Sequence, residues 1–350
     1  MILSGLSSRL AVGLAIGICS LLALSGCSDE PQLLTITGFA QGTTYNISYW
    51  TADSVPAETV EAHAEQVLEK IDVELSTYRD DSDIVDFNNS RVTEAQVVPA
   101  SLVDLVRIAK TVSAQSHGCY DLTIRPLFTL WGFDGTFRVP SASAVEETRR
   151  RIGMDRLTIA GPTLLAKAEA DIGIDVSSIA QGYSTALLAA ALEDLGITNY
   201  LVEVGGELLV KGGKPGGEDW RVAIERPLAG ERAIQKIVEI EPGGALSVVT
   251  SGTYRHYYDE AGKRYSHILD ARTGSPVTHD LLSVTVIHPD PTIADAWSTA
   301  LLCLGTKAAL EVSRKLDMAV MLVEADGDEW REHFSPALEN PRWQVQAVPE

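Results

Sequence analysis

From Tyr200 to Pro289 the chain is dominated by short apolar runs of strand length: "YLVEVG", "WRVAIERP", "ALSVVTSG", "RHYYDE", "RYSHILD" and "LLSVTVIHP". Doubly wound folds need a helix between successive parallel strands, so this stretch is poor material for one. Helical spacing lies elsewhere. Val60, Ala64, Val67, Leu68, Ile71 and Leu75 share one face of a helix over Thr59–Leu75, and a second helix is predicted over Leu102–Val112. Ser143 and Glu146 predict a capping box opening a short helix that ends in three arginines. An alanine- and leucine-rich helix follows over Ile179–Leu195, then helices over Thr292–Leu304 and Thr306–Leu316 before the strand "MAVMLVE". "LLTITGFA" and "TYNISYW" form a first hairpin. Strands and helices that mix without regular alternation predict an α+β fold. No short-period repeat or low-complexity linker divides residues 33–350, which are read as a single domain.

The N-terminus stands outside that fold. Residues 1–26 carry one cation, Arg9, and an apolar run from Leu10 that stops at "LSGC", Leu24–Cys27. This is the pattern of a secretory leader cut before a cysteine that is then acylated. The reading makes 1–26 a lipoprotein signal peptide, Cys27 the lipid site and 27–32 a tether, with the chain held by lipid outside the cytoplasm. Loss of Arg9 takes the formal charge from −20 to −21. So acidic a chain repels nucleic acid and anionic headgroups, and binds a polyanionic ligand poorly without a cation between them. Beyond Cys19 and Cys27 only Cys119 and Cys303 remain to pair, which is no disulfide framework, and no C-x-x-C spacing suggests a thiolate metal site.

Five stretches can carry chemistry. In "PTIADAWSTALLCLG", Asp295 and Thr299 lie four residues apart and share a helix face, offering oxygen ligands of the kind Mg²⁺ accepts. Asp295 also fits a capping box with Thr292 three residues before it, and caps are the commoner use of such spacing. In "GIDVSSIAQGY" a strand is expected to end at Asp175 and a helix to open near Ser178, where backbone N–H groups can receive a phosphate; spacing alone favours a capped core helix with Gly182 as a packing contact. Tyr78, Tyr120 and Trp131 sit beside turns, as stacking platforms or as core anchors. His117 has no visible partner. In "RYSHILDARTGSP", His267 with Asp270 suits a general base held near a hydroxyl, unless Asp270 and Arg272 only pin the turn.

Taken together, "LSGC", "QGTTYNI", "STYRDDSDIVDFN", "GCYDLTIRPLFTLWGF", "IDVSSIAQGY", "LVEVGGELLVKG", "VVTSGTYRHY", "YSHILDARTGSP" and "ADAWSTALLCLG" occur in the order found in the ApbE family, which the chain resembles over nearly all of its mature length. The resemblance implies mainly antiparallel sheets with helices packed on them, T-fold-like. It also implies an activity: transfer of FMN from FAD to a threonine or serine of a target protein, with release of AMP. Targets of the family are membrane redox subunits such as those of sodium-pumping NADH:quinone reductase. By position, Asp295, Thr299 and the main chain of Ser178 match Mg²⁺ ligands. Gln41, Tyr78, Cys119, Tyr120, Asp121, Asp175, Gln181 and the main chain of Leu269 match FAD contacts, with Tyr78 and Tyr120 as stacking rings. His267 matches the base proposed for the acceptor hydroxyl. Gln181 stands where the family often has lysine or glutamate, and Gln41 where many members have methionine. Two other functions stand beside this one: an FAD pyrophosphatase giving free FMN, which would use nearly the same site, and a flavin-binding lipoprotein without turnover, which has no need of Asp295 and Thr299 beside His267.

Overall fold

Runs that are apolar at every position, such as Ala319–Val323, are what a sheet buried on both faces requires. The computed structural model, which describes residues 31–53, 55–228, 233–327 and 329–348, meets that requirement with a central eight-stranded sheet. Its strands are β1 (Leu34–Ala40), β2 (Thr43–Trp50), β3 (Asn199–Val204), β4 (Glu207–Gly212), β5 (Gly243–Gly252), β6 (Leu281–His288), β7 (Ala319–Asp326) and β8 (Glu329–Phe334). They lie side by side in chain order, each antiparallel to its neighbours. The leader, Cys27 and most of the tether fall outside the described residues.

Alternation along the strands divides the core in two. Val249, Val284, Val286, Val320 and Leu322 face a helical layer. Val248, Ile287, Ala319, Met321 and Val323 face the other way, onto Trp220, Val222, Val238, Ile240 and Trp343 of a three-stranded antiparallel sheet formed by Trp220–Glu225, Ile234–Ile240 and Trp343–Ala347. The helices are α1 (Ala57–Leu75), α2 (Asp83–Asn89), α3 (Ala100–Gln115), α4 (Arg125–Trp131), α5 (Ala142–Arg149), α6 (Ala180–Asp194), α7 (Pro291–Leu304) and α8 (Thr306–Lys315). Helix α7 lies on β5 and β6, α6 lies on β3 and β4, and the two pack on each other. The α+β architecture with mainly antiparallel sheets is therefore as expected. No helix among the described residues is long and apolar enough to cross a membrane.

Three local expectations change. Helix α5 is capped by Ser141, whose hydroxyl accepts the Ala144 N–H, and not by Ser143. Helix α7 is capped by Asp290, which accepts the N–H groups of Thr292 and Ile293 with Pro291 at the first position, so Thr292 is not the cap and Asp295 is free of capping duty. The segment before Asp175 is not a strand: it is irregular backbone tied by the Asp175 N–H to the Leu122 carbonyl at 2.7 Å.

Candidate active site

One end of the sheet gathers turns that are distant in sequence. The β1–β2 turn, the β3–β4 turn and the end of β5 meet the start of α6 and the buried face of α7 around a cavity of about 400 Å³. Asp295, Thr299, Ser178, Gln181, Asp175, Cys119, Tyr120, Asp121, His267 and Leu269 all line it. Tyr78 does not: it follows α1 and is 92% exposed. Gln41 sits beside the cavity in the β1–β2 turn, with φ of 54°, its side-chain oxygen accepting from Ser184 Oγ at 2.9 Å and its Nε2 buried without a partner.

Helix α7 explains the position of the acid. It is buried on most sides, so an aspartate in its second turn must be compensated locally. Asp295 Oδ2 accepts the Gly182 N–H at 2.9 Å. Gly182 permits this contact, because a Cβ there would lie 2.3 Å from the Pro291 carbonyl oxygen. Burial raises the Asp295 pKa, with the Gly182 bond opposing. One turn on, the Thr299 hydroxyl meets Ser251 Oγ at 3.2 Å, and Ser251 meets Ser298 at 2.7 Å. Tyr120 is only 3% exposed, and its hydroxyl accepts from Ser178 Oγ at 3.0 Å and donates to the Ser178 carbonyl at 3.4 Å. That burial drives the phenol pKa up. The open stacking ring expected at Tyr120 is thus a post that fixes the Ser178 carbonyl. Asp295, Thr299 and the Ser178 carbonyl offer hard oxygen donors to one space, which suits Mg²⁺.

His267 and Asp270 are not partners. His267 Nδ1 lies 2.9 Å from the His256 carbonyl, which can only accept, so Nδ1 carries the proton and Nε2 keeps a lone pair. Burial pushes the His267 pKa down to about 4, with the bond to His256 opposing, so the ring is neutral at pH 7. Asp270 instead accepts from the Arg272 guanidinium and main chain, at 2.7 to 3.2 Å, and pins the turn. Trp131 is a core anchor, donating to the Gly274 carbonyl at 2.8 Å. Cys119 and Cys303 form a disulfide at the cavity wall, joining the Tyr120–Asp121 segment to α7.

The model of the ApbE family matches residues 41–322. The chain belongs to the ApbE family. It is 36% identical to the FAD:protein FMN transferase of Klebsiella pneumoniae (strain 342), over 92% of this chain and 94% of that protein. To the protein of the same name from Escherichia coli (strain K12) it is 34% identical, over 92% and 95%. Among solved structures it is similar to the apo form of Pseudomonas stutzeri flavinyl transferase ApbE, with a TM-score of 0.80, 37% identity and coverage of 88% of this chain and 96% of that one. The flavin transferase ApbE from Vibrio cholerae gives 0.80, 33%, 88% and 99%.

Within this ApbE-family site, sequence reasoning missed Glu207, Arg255 and His256, all of which line the cavity. Glu207 had a signal: in "GGELLVKG" an acid follows a Gly-Gly turn where an apolar strand begins. His256 acts through its carbonyl, which no side-chain pattern reveals.

Proposed function

We infer that the chain is an FAD:protein FMN transferase. The observation that carries this reading is the convergence, on one cavity, of an oxygen donor set for a cation and a neutral histidine with a free nitrogen. In the reaction, the acceptor hydroxyl oxygen forms a bond to the phosphorus on the FMN side of the FAD diphosphate. The bond from that phosphorus to the bridging oxygen breaks, and AMP leaves with the oxygen. His267 Nε2 takes the hydroxyl proton. A nearby anionic diphosphate favours the imidazolium, so substrate binding makes a ring of low basicity a better acceptor.

We propose that Asp295, Thr299 and the Ser178 carbonyl hold Mg²⁺. The ion, when bound, neutralises diphosphate charge and steadies the leaving phosphate. On a chain of charge −20 some such compensation is needed for an anionic nucleotide. Asp121, Asp175, Gln181 and the main chain at Cys119 and Leu269 are proposed to contact FAD from the cavity wall, with Gln41 at its edge. Tyr78, fully outside the wall, would reach FAD only as a flap.

The proposal extends to place and partner. A leader over 1–26 that stops before Cys27 supports a Cys27-acylated protein on the periplasmic side of a bacterial inner or outer membrane, and the Cys119–Cys303 disulfide suits that oxidising compartment. The acceptor is then a membrane redox subunit with an outward-facing threonine, of the sodium-pumping NADH:quinone reductase type or a relative. Mass spectrometry of such an acceptor co-expressed with this chain tests the reading: an FMN phosphoester on threonine is expected. An unmodified acceptor alongside free FMN and AMP would replace the transferase by a pyrophosphatase.

A further inference from the structure

The cavity holds one more carboxylate than the reading above uses. Glu207 is the first residue of β4, directly after the Gly205–Gly206 turn, and is 7% exposed. The turn needs glycine: both residues have positive φ, and a Cβ on Gly205 would lie 2.3 Å from Gln181 Nε2. The Glu207 carbonyl accepts from Thr185 Oγ1 at 3.1 Å, which fixes its backbone on α6. Its side chain is different. Glu207 lines the cavity with Asp295, Thr299 and Ser178, yet its Oε2 is buried without any hydrogen-bond partner.

A buried carboxylate oxygen with no donor costs free energy in any state that keeps it charged, and a second buried carboxylate nearby adds to that cost. The field of Asp295 does reach Glu207. Compensation from the protein is weak. Arg255 also lines the cavity, but its guanidinium is engaged by Glu225 at 2.7 Å. What would satisfy Glu207 is a positive charge, or water polarised by one, placed in the cavity itself. A magnesium ion keeps several of its waters, and carboxylates beyond the direct ligands commonly accept from those waters and tighten binding.

We propose that Glu207 is the second carboxylate of the cation seat, holding the ion on Asp295 and Thr299 through the ion's coordinated water. This rests on the reading of the cavity as a cation site. Glu207 is then a positioning residue: it does not touch the reacting phosphorus, and it would set the affinity and placement of the ion held by Asp295 and Thr299.

The test is Mn²⁺ binding to the purified protein, followed by the free-ion electron paramagnetic resonance signal, without nucleotide and with ADP as an inert diphosphate. Asp295→Ala is expected to abolish binding. Glu207→Gln, which keeps shape and removes charge, is expected to weaken it by about 10- to 100-fold with near-ultraviolet circular dichroism unchanged, and Glu207→Asp to recover part of the loss. Wild-type affinity in Glu207→Gln, with binding lost in Asp295→Ala, would overturn the role of Glu207 and leave the cation reading standing. Equal affinity in wild type and Asp295→Ala, or no Mn²⁺ bound by wild type in either condition, would overturn the cation reading and this proposal with it. Should Glu207→Gln fail to fold, Glu207→Asp decides: unchanged affinity overturns the proposal and weakened affinity supports it.

Discussion

The carboxylate of Asp295 on α7 accepts the main-chain N–H of Gly182 on α6 at 2.9 Å, so one helix aims the acid of the other. A Cβ at Gly182 would lie 2.7 Å from the Asp295 Cβ as well as against the Pro291 carbonyl. Gly182→Ala should therefore part the helices, costing ~1–3 kcal/mol in urea unfolding. Transfer activity, measured where the variant is still folded, should fall further than that loss explains. Unchanged stability and turnover would mean the α6–α7 contact is not what orients Asp295.

The Cys119–Cys303 bond closes a separation of 184 residues and ties the Tyr120–Asp121 segment to α7 one turn beyond Thr299. Cys303→Ser, or reduction of the wild type, should lower stability by ~2–5 kcal/mol. It should also weaken FAD binding, since two cavity walls lose their tie. Unfolding curves that coincide with and without reductant would remove the disulfide from the account.

His267 gives a pH signature. In the unfolded chain its ring binds a proton below about pH 6.5. In the fold it does so only near pH 4. The unfolded state thus binds more protons in between, and the stability due to neutral His267, complete above the upper limit, is lost as pH falls through this window. His267→Gln should show a smaller drop than wild type across it in urea unfolding at stepped pH, while still binding FAD and transferring FMN slowly. Parallel stability curves would place the ring in solvent.

Gln181 lines the cavity without bringing charge, and the protein around it is acidic. Gln181→Lys should tighten FAD binding roughly fivefold, worth about 1 kcal/mol, with the gain fading at high salt. Binding that is indifferent to the substitution and to salt would put the diphosphate elsewhere.

The elements were legible where their period was strong. Val60 to Leu75 reads as a helix, and all but Val67 of its predicted face are buried; Leu34–Trp50 reads as a hairpin. The order of the sheet was not legible, because β2 pairs with β3 across about 150 residues, Tyr45 opposite Val204, and local periodicity names no partner. The strands Glu329–Phe334 and Trp343–Ala347 were missed because they are largely polar edge strands with little apolar alternation. At the site, the four-residue spacing of Asp295 and Thr299 was visible but shared with helix capping, and only Asp290 at the cap separates the two. Of the two readings the sequence left open at His267, the structure has the one in which Asp270 and Arg272 pin the turn; the partner of the His267 ring is the His256 carbonyl, brought in across the hairpin, which no side-chain pattern names.

The claim on which the rest depends is that a cation seated at Asp295 and Thr299 brings the FAD diphosphate within reach of a hydroxyl. The most direct measurement follows AMP release and FMN-ester formation together in wild type and Asp295→Ala, with Mg²⁺ and with a chelator. Equimolar AMP and flavinylated acceptor from wild type with Mg²⁺, and neither product in the other three conditions, is the predicted result. Undiminished ester formation by Asp295→Ala, or by the chelated wild type, would contradict it.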